Sequence, residues 1–234
     1  MFVVAMASAT SLATIGCSSF EAEQRARHPI DATFEHPSRP VVQLARARLP
    51  QPLTAIAVHY WFNAYDPKQL RWERWELWQE RGRVTTSWGH VHLDLMGPMG
   101  NVGGGDAVIE AEWAGAEAER LIAVLHHPEL YPERDTYRAW PGPNSNTYVA
   151  WVLRESGVPF DLAPLAIGKD WRGWVGAGST TTMSGVHLES PLVGVKLGLV
   201  EGVELHVLAF TFGFAFIKPT VKTPFGSISL PTIP

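Results

Sequence analysis

One stretch constrains the fold of this chain more than any other: Val193 to Ile217, a nearly continuous apolar run interrupted by Glu201-Gly202, Glu204 and His206. Its length would let it cross a bilayer as a helix, yet acidic groups near the middle of such a helix would cost several kcal/mol. The reading that fits is a buried hairpin, with one strand before Glu201-Gly202 and one after it. The composition of the whole chain, 46% hydrophobic and 18% charged over 234 residues, describes a folded chain rather than a disordered one. Nineteen basic against twenty-three acidic residues leave a net charge of −4, which gives no basic field for gripping phosphate backbones, so nucleic acid is not an expected partner.

The single cysteine excludes an internal disulfide framework and any thiolate-rich metal site. Its position is informative, because Met1 to Gly16 form an uncharged apolar segment, too short to span a bilayer as a helix, that ends immediately before Cys17. Thr14-Ile15-Gly16-Cys17 resembles the end of a lipoprotein-type signal peptide. Residues 1–16 are then the signal, Cys17 the lipidated new N-terminus, and the chain an exported cell-envelope protein on the periplasmic side, held to the membrane through its anchor. Thr14 stands where a leucine-like residue is usual. No Lys or Arg precedes Cys17, so a basic n-region is expected upstream of Met1. The competing reading is a buried N-terminal segment with a core cysteine. Residues 17–50 are largely polar, with several prolines, and read as a tether, with Val41 to Leu44 a candidate early strand. Residues 51–234 then make a single globular domain.

Within that body, Leu53 to Phe62 reads as a strand buried on both faces. Leu70 to Gln79 and Arg83 to Leu95 read as a hairpin around Arg81-Gly82, and Gly97 to Asp106 as a glycine-rich loop. Ala118, Leu121, Ile122 and Leu125 fall at helical spacing, which predicts a helix over about 115–126 that stops at Pro128. Pro141-Gly142-Pro143 followed by Asn144 or Ser145 as cap opens a second helix, closed by Gly157. Phe160 to Leu192 reads as loop. The fold class is α+β, an antiparallel sheet packed against two helices.

The candidate chemistry gathers at Trp140 to Trp151. Small polar side chains at a helix start meet unpaired N–H groups and the positive end of the helix dipole, a good place for a nucleophile. A serine there needs a neighbouring general base. The plain alternative is that Asn144, Ser145 and Asn146 are capping residues only. His59, on an apolar strand, is a candidate base or a satisfied core histidine. His90 and His92 share a strand face and His126-His127 add a further pair, but no carboxylate lies at ligand spacing, so no metal is assigned. Gly103 to Gly105 lack the lysine and spacing of a phosphate-binding loop, and no cofactor is implied. Among the ten tryptophans, Trp72, Trp75 and Trp78 serve either as core or as a stacking surface for glycans or lipid headgroups.

VHYWF at 58–62, WPGPNSNTYVAWVLR at 140–154, AIGKD at 166–170 and EGVELHVLAFTFG at 201–213 together resemble the bacterial family known as domain of unknown function 3750, over residues 53 to about 230. The long PGPNSNT block is the specific part, and Tyr148 in place of phenylalanine is the clearest departure. The resemblance brings no activity with it. More distantly, a histidine on an early strand followed by a helix opening N-C-x-x-F-V is similar to permuted papain-like proteins of the lecithin retinol acyltransferase kind. That likeness puts His59 at the histidine position and Ser145 at the cysteine position of Asn144 to Val149.

Two functions follow as expectations. One is a non-catalytic binding or structural envelope lipoprotein on a papain-like scaffold, taking a glycan, lipid or peptide ligand at Trp140, Asn144, Asn146, Thr147, Lys169 and Asp170. The other is a membrane-anchored hydrolase or acyltransferase with Ser145 as nucleophile and His59 as base. The enzyme reading requires Ser145 Oγ within hydrogen-bond reach of a His59 nitrogen, beside an open cleft, and fails if the two side chains lie far apart or Ser145 has no access.

Overall fold

The computed structural model describes residues 36–231, so Cys17 and the expected signal segment lie outside the described residues. The first half builds one antiparallel sheet from β1 (Val41–Arg48), β2 (Val58–Asp66), β3 (Arg71–Leu77), β4 (Ser87–Trp88), β5 (Val91–Leu93) and β6 (Val108–Ala114), in the order β4-β5-β3-β2-β1-β6. Two helices follow, α1 (Ala116–Leu125) and α2 (Ser145–Ser156).

Alternation along the strands decides what covers each face of this sheet. Val42 and Leu44 of β1 and Val58, Tyr60, Phe62 and Ala64 of β2 pack with Leu121 and Leu125 of α1 and with Tyr148, Val149 and Val152 of α2. The opposite face, with Ala45, Ala47 and Trp61, is covered by Leu95 and Met96 and by Val102 of the glycine-rich loop. Burial on both faces explains why all but the last residue of β2 is buried. The folded body therefore begins ahead of the expected boundary at 51. β1 pairs with β2 on one side and β6 on the other, so the strand expected at Val41 to Leu44 is present and runs on to Arg48. The helix expectations hold within a residue or two, and Gly157 ends α2 in the left-handed conformation, φ 63°.

The last third differs more from its reading. β7 (Gly176–Ser179), β8 (Gly185–Glu189), β9 (Val193–Gly198), β10 (Gly202–Val207), β11 (Phe210–Ala215), β12 (Thr220–Thr223) and β13 (Gly226–Ser229) form a second antiparallel sheet, each strand beside its sequence neighbour. β7 and β8 lie where loop was expected, and the apolar run contributes three strands rather than one buried hairpin. Nor are its apolar side chains inside. In β9 and β10 the inward positions are Gly194, Lys196, Glu204 and His206, while Val193, Val195, Leu197, Val203, Leu205 and Val207 reach solvent. A period of two places either set inward; the ion pairs described below fix the polar set there.

Candidate functional site

The segment Asn144 to Thr147 is a clasp. The Asn144 side-chain oxygen accepts from the backbone N–H groups of Asn146 and Thr147, and Thr147 Oγ1 accepts from Asn144 N–H at 3.0 Å, completing a capping box. Asn144 Nδ2 donates to the carbonyls of Ala139 and Ile167, and Thr147 Oγ1 donates to Gly168 O at 2.7 Å. Gly168 sits at φ 87°, and a Cβ there would lie 2.3 Å from the Asn144 amide, so this approach requires glycine.

Asn146 ties the helix to the sheet. The β2–β3 pairing begins at Phe62–Trp75, leaving the edge of β2 at Val58 and Tyr60 without β3. The Asn146 amide fills that gap as a peptide group would: Oδ1 accepts from Tyr60 N–H at 3.2 Å and Nδ2 donates to Val58 O at 3.0 Å. These two contacts bracket His59, so the residue after Ser145 is fixed to the backbone on either side of the histidine.

His59 ends a buried polar chain. Its Nε2 lies 3.0 Å from Glu76 Oε2, and Arg74 Nη2 donates to the same oxygen at 2.8 Å. Arg74 Nη1 donates to the carbonyls of Gly97 and Gly100, and its guanidinium lies 4.0 Å from the Trp61 ring centroid. Burial alone would raise the Glu76 carboxyl, but Arg74 and His59 outweigh it and bring it down to about 2. Burial holds the His59 imidazole below its ordinary value despite Glu76. At neutral pH His59 is therefore an uncharged ring that donates from Nε2 to an ionised Glu76, with Nδ1 as the remaining basic nitrogen.

His59 and Ser145 line the same cavity of about 280 Å3. Leu49, Leu53, Ile56, Tyr137 and Phe210 give it apolar walls, with Trp140, Asn144 and Asn146 beside the serine. Trp140 Nε1 donates to Leu208 O, which ties the cavity rim to the β10–β11 turn. The sequence does not single out Glu76 because RWERWEL mixes aromatic and aliphatic residues with charged ones, whereas both faces of β3 are covered. The available signal is Arg74 and Glu76 two residues apart on one strand face, where an ion pair forms naturally. His90 and His92 bond instead to the Trp78 and Glu80 carbonyls and to Ser87 Oγ, and Trp72 and Trp75 are core residues.

Lys169 and Asp170 lie elsewhere, in a second and larger polar network beneath the seven-stranded sheet. Asp170 pairs with Lys169 at 2.6 Å and Lys196 at 2.7 Å. Glu204 meets Lys169, Lys196, Lys222 and His206, and Lys222 also pairs with Asp161. His206 Nδ1 bonds to Glu189, which also accepts from His187 Nε2 at 3.0 Å. Four carboxylates, Asp161, Asp170, Glu189 and Glu204, thus face Lys169, Lys196, Lys222 and His206. Burial lowers His206, but Asp170, Glu189 and Glu204 outweigh it and raise it, so it is the fourth cation. Burial raises Glu204, but Lys169 and Lys196 hold it well below the carboxylate range. Asp170, His187 and His206 offer donor atoms within 4.8 Å of one another, the spacing of a cation site. The ammonium groups on both oxygens of Asp170 already supply the charge a cation would bring.

An antiparallel α+β body with a strand histidine and a helix-start serine at one cavity is the class these features define. The chain belongs to the family described as Protein of unknown function (DUF3750), whose model matches residues 39–171. That span takes in the six-stranded sheet, both helices and the clasp, and ends at Trp171. The EGVELHVLAFTFG stretch read as part of the resemblance lies beyond it, as does the whole second sheet. No curated protein and no solved structure matches the chain.

Proposed function

We propose that the protein is an envelope-tethered acyl hydrolase or acyltransferase in which Ser145 is the nucleophile, His59 the general base and Glu76 the group that orients and stabilises the imidazole. The observation that carries this reading is the buried Arg74–Glu76–His59 chain ending at a cavity that Ser145 also lines. His59 Nδ1 takes the hydroxyl proton as Ser145 Oγ attacks an acyl carbonyl, and returns it to the leaving group as the acyl-enzyme forms. Water, or an acceptor hydroxyl or amine, repeats the step in reverse to release the acyl group. The Asn144 cap occupies the N–H groups of Asn146 and Thr147 and does not engage that of Ser145, which in this reading serves the oxyanion. The apolar walls suit a substrate with a hydrocarbon portion.

A second reading, a binding module using the same cavity, draws support from one observation: Ser145 Oγ makes no hydrogen bond to His59 among the described residues. Catalytic contacts are often long before substrate arrives, so the two readings part on reactivity. A fluorophosphonate probe should label the protein and fail to label Ser145→Ala; absence of labelling in both would favour the binding module. The tether rests on Cys17. Palmitate incorporation lost in Cys17→Ser, in a chain with a competent export signal, supports it, and incorporation that persists overturns it.

A further inference from the structure

The outward face of the seven-stranded sheet carries no charged side chain. Its central ladder runs Val186, Leu197, Val203, Phe214, Val221, Ile228 across β8 to β13, and a second runs Leu188, Val195, Leu205, Phe212. In the middle of a sheet, Val195 is 39% and Leu205 46% exposed, so nothing among the described residues covers them. Seven strands about 4.8 Å apart and about 17 Å long on average give a plane of about 550 Å2, and the apolar side chains of the turns extend it. Specific interfaces take about 800 Å2 of accessible surface from each partner, so this face has the extent of one half of a stable interface.

A sheet normally coheres by burying its apolar face. Here the buried face is the ionic network, whose desolvation opposes folding and leaves the apolar face to supply cohesion from outside. We infer that the outer face pairs with the same face of a second copy of this chain, closing an isologous β-sandwich around a shared aliphatic core. The side chains favour this occupant. Val, Leu, Ile and Phe without interspersed charge form half of a sandwich core, and with no basic residue on the face there is nothing to draw it to anionic headgroups. Strands of four to six residues are too short to span a bilayer, where about nine to eleven are needed. Phe210 and the Leu208 carbonyl border the Ser145 cavity, so the dimer would also steady one cavity wall, although the inference stands independently of the catalytic reading.

Sedimentation equilibrium on the full chain carrying Cys17→Ser, which removes any acyl group, tests this at micromolar concentrations. The expected mass is twice that of the chain. The double variant Val195→Lys, Leu205→Lys should sediment as a monomer with an unchanged far-UV circular dichroism spectrum, because both side chains reach solvent within one protomer. Should that variant fail to fold, Leu205→Thr keeps strand preference and should weaken association on the order of a hundredfold, since each change counts twice in a symmetric interface. A monomer at every concentration overturns the inference, and co-sedimentation of that monomer with phosphatidylethanolamine–phosphatidylglycerol vesicles would assign the face to lipid instead. A dimer indifferent to these variants also overturns it.

Discussion

The two sheets use the same period-two alternation to opposite ends. The six-stranded sheet puts aromatic and aliphatic side chains inside, and among its buried polar groups is a narrow chain, Arg74–Glu76–His59, that is open at one end: its last imidazole keeps a nitrogen for other chemistry. The seven-stranded sheet puts apolar side chains outside and closes its ions on one another, four carboxylates against four cations. A polar network whose members are mutually satisfied holds structure, whereas one that ends at a cavity with a basic atom left over can act.

That contrast can be broken by single substitutions. Removing one member of the closed network leaves buried charge uncompensated, so Lys196→Met, with Asp170 and Glu204 both losing a partner, should cost about 3–5 kcal/mol in urea unfolding. Asn146→Ala strips Val58 O and Tyr60 N–H of their partner and should cost about 2–4 kcal/mol by the same measurement. A loss under 1 kcal/mol in either would mean the networks are loosely held.

Titration gives the contrast a sign. His59 is lowered by burial, so its neutral form contributes stability that is complete above its unfolded value near 6.5 and lost as pH falls through the lowered value. His206 is raised by its carboxylates against burial, so its charged form contributes stability that is complete below about 6.5 and lost as pH rises through the raised value. Imidazole NMR at pH 6.5 should show His59 mostly neutral and His206 mostly charged. His206→Gln should accordingly destabilise more at pH 6 than at pH 9. Ser145→Ala should move stability least, within about 0.5 kcal/mol, because Ser145 Oγ makes no hydrogen bond among the described residues.

The chain from β2 to Gly157 is largely legible in its sequence. Asn144 and Gly157 delimit α2 because capping chemistry is local, and β2 announces itself by composition. The serine and the histidine were found the same way. Glu76 was hidden because whether a charged residue on β3 faces solvent depends on what covers the sheet, and that cover comes from residues 95–102. The second sheet is not legible because a run such as VGVKLG alternates equally well with either face inward; Asp161, Lys169 and Asp170, which precede it in the chain, make the choice. Val41 to Leu44 is legible as a strand, whereas its continuation to Arg48 is not, because Arg46 and Arg48 interrupt the apolar pattern around the buried Ala45 and Ala47.

The central claim is that the open chain makes Ser145 nucleophilic, and the most direct measurement is the rate at which a fluorophosphonate adds to Ser145, followed by intact mass against pH. The account predicts an adduct on the Ser145 peptide whose rate rises through the lowered His59 value and levels off near neutrality. It also predicts a fall of about 10^2–10^4 in Glu76→Gln, and a greater one in His59→Ala. An adduct that never forms, or one whose rate ignores both substitutions, would contradict it.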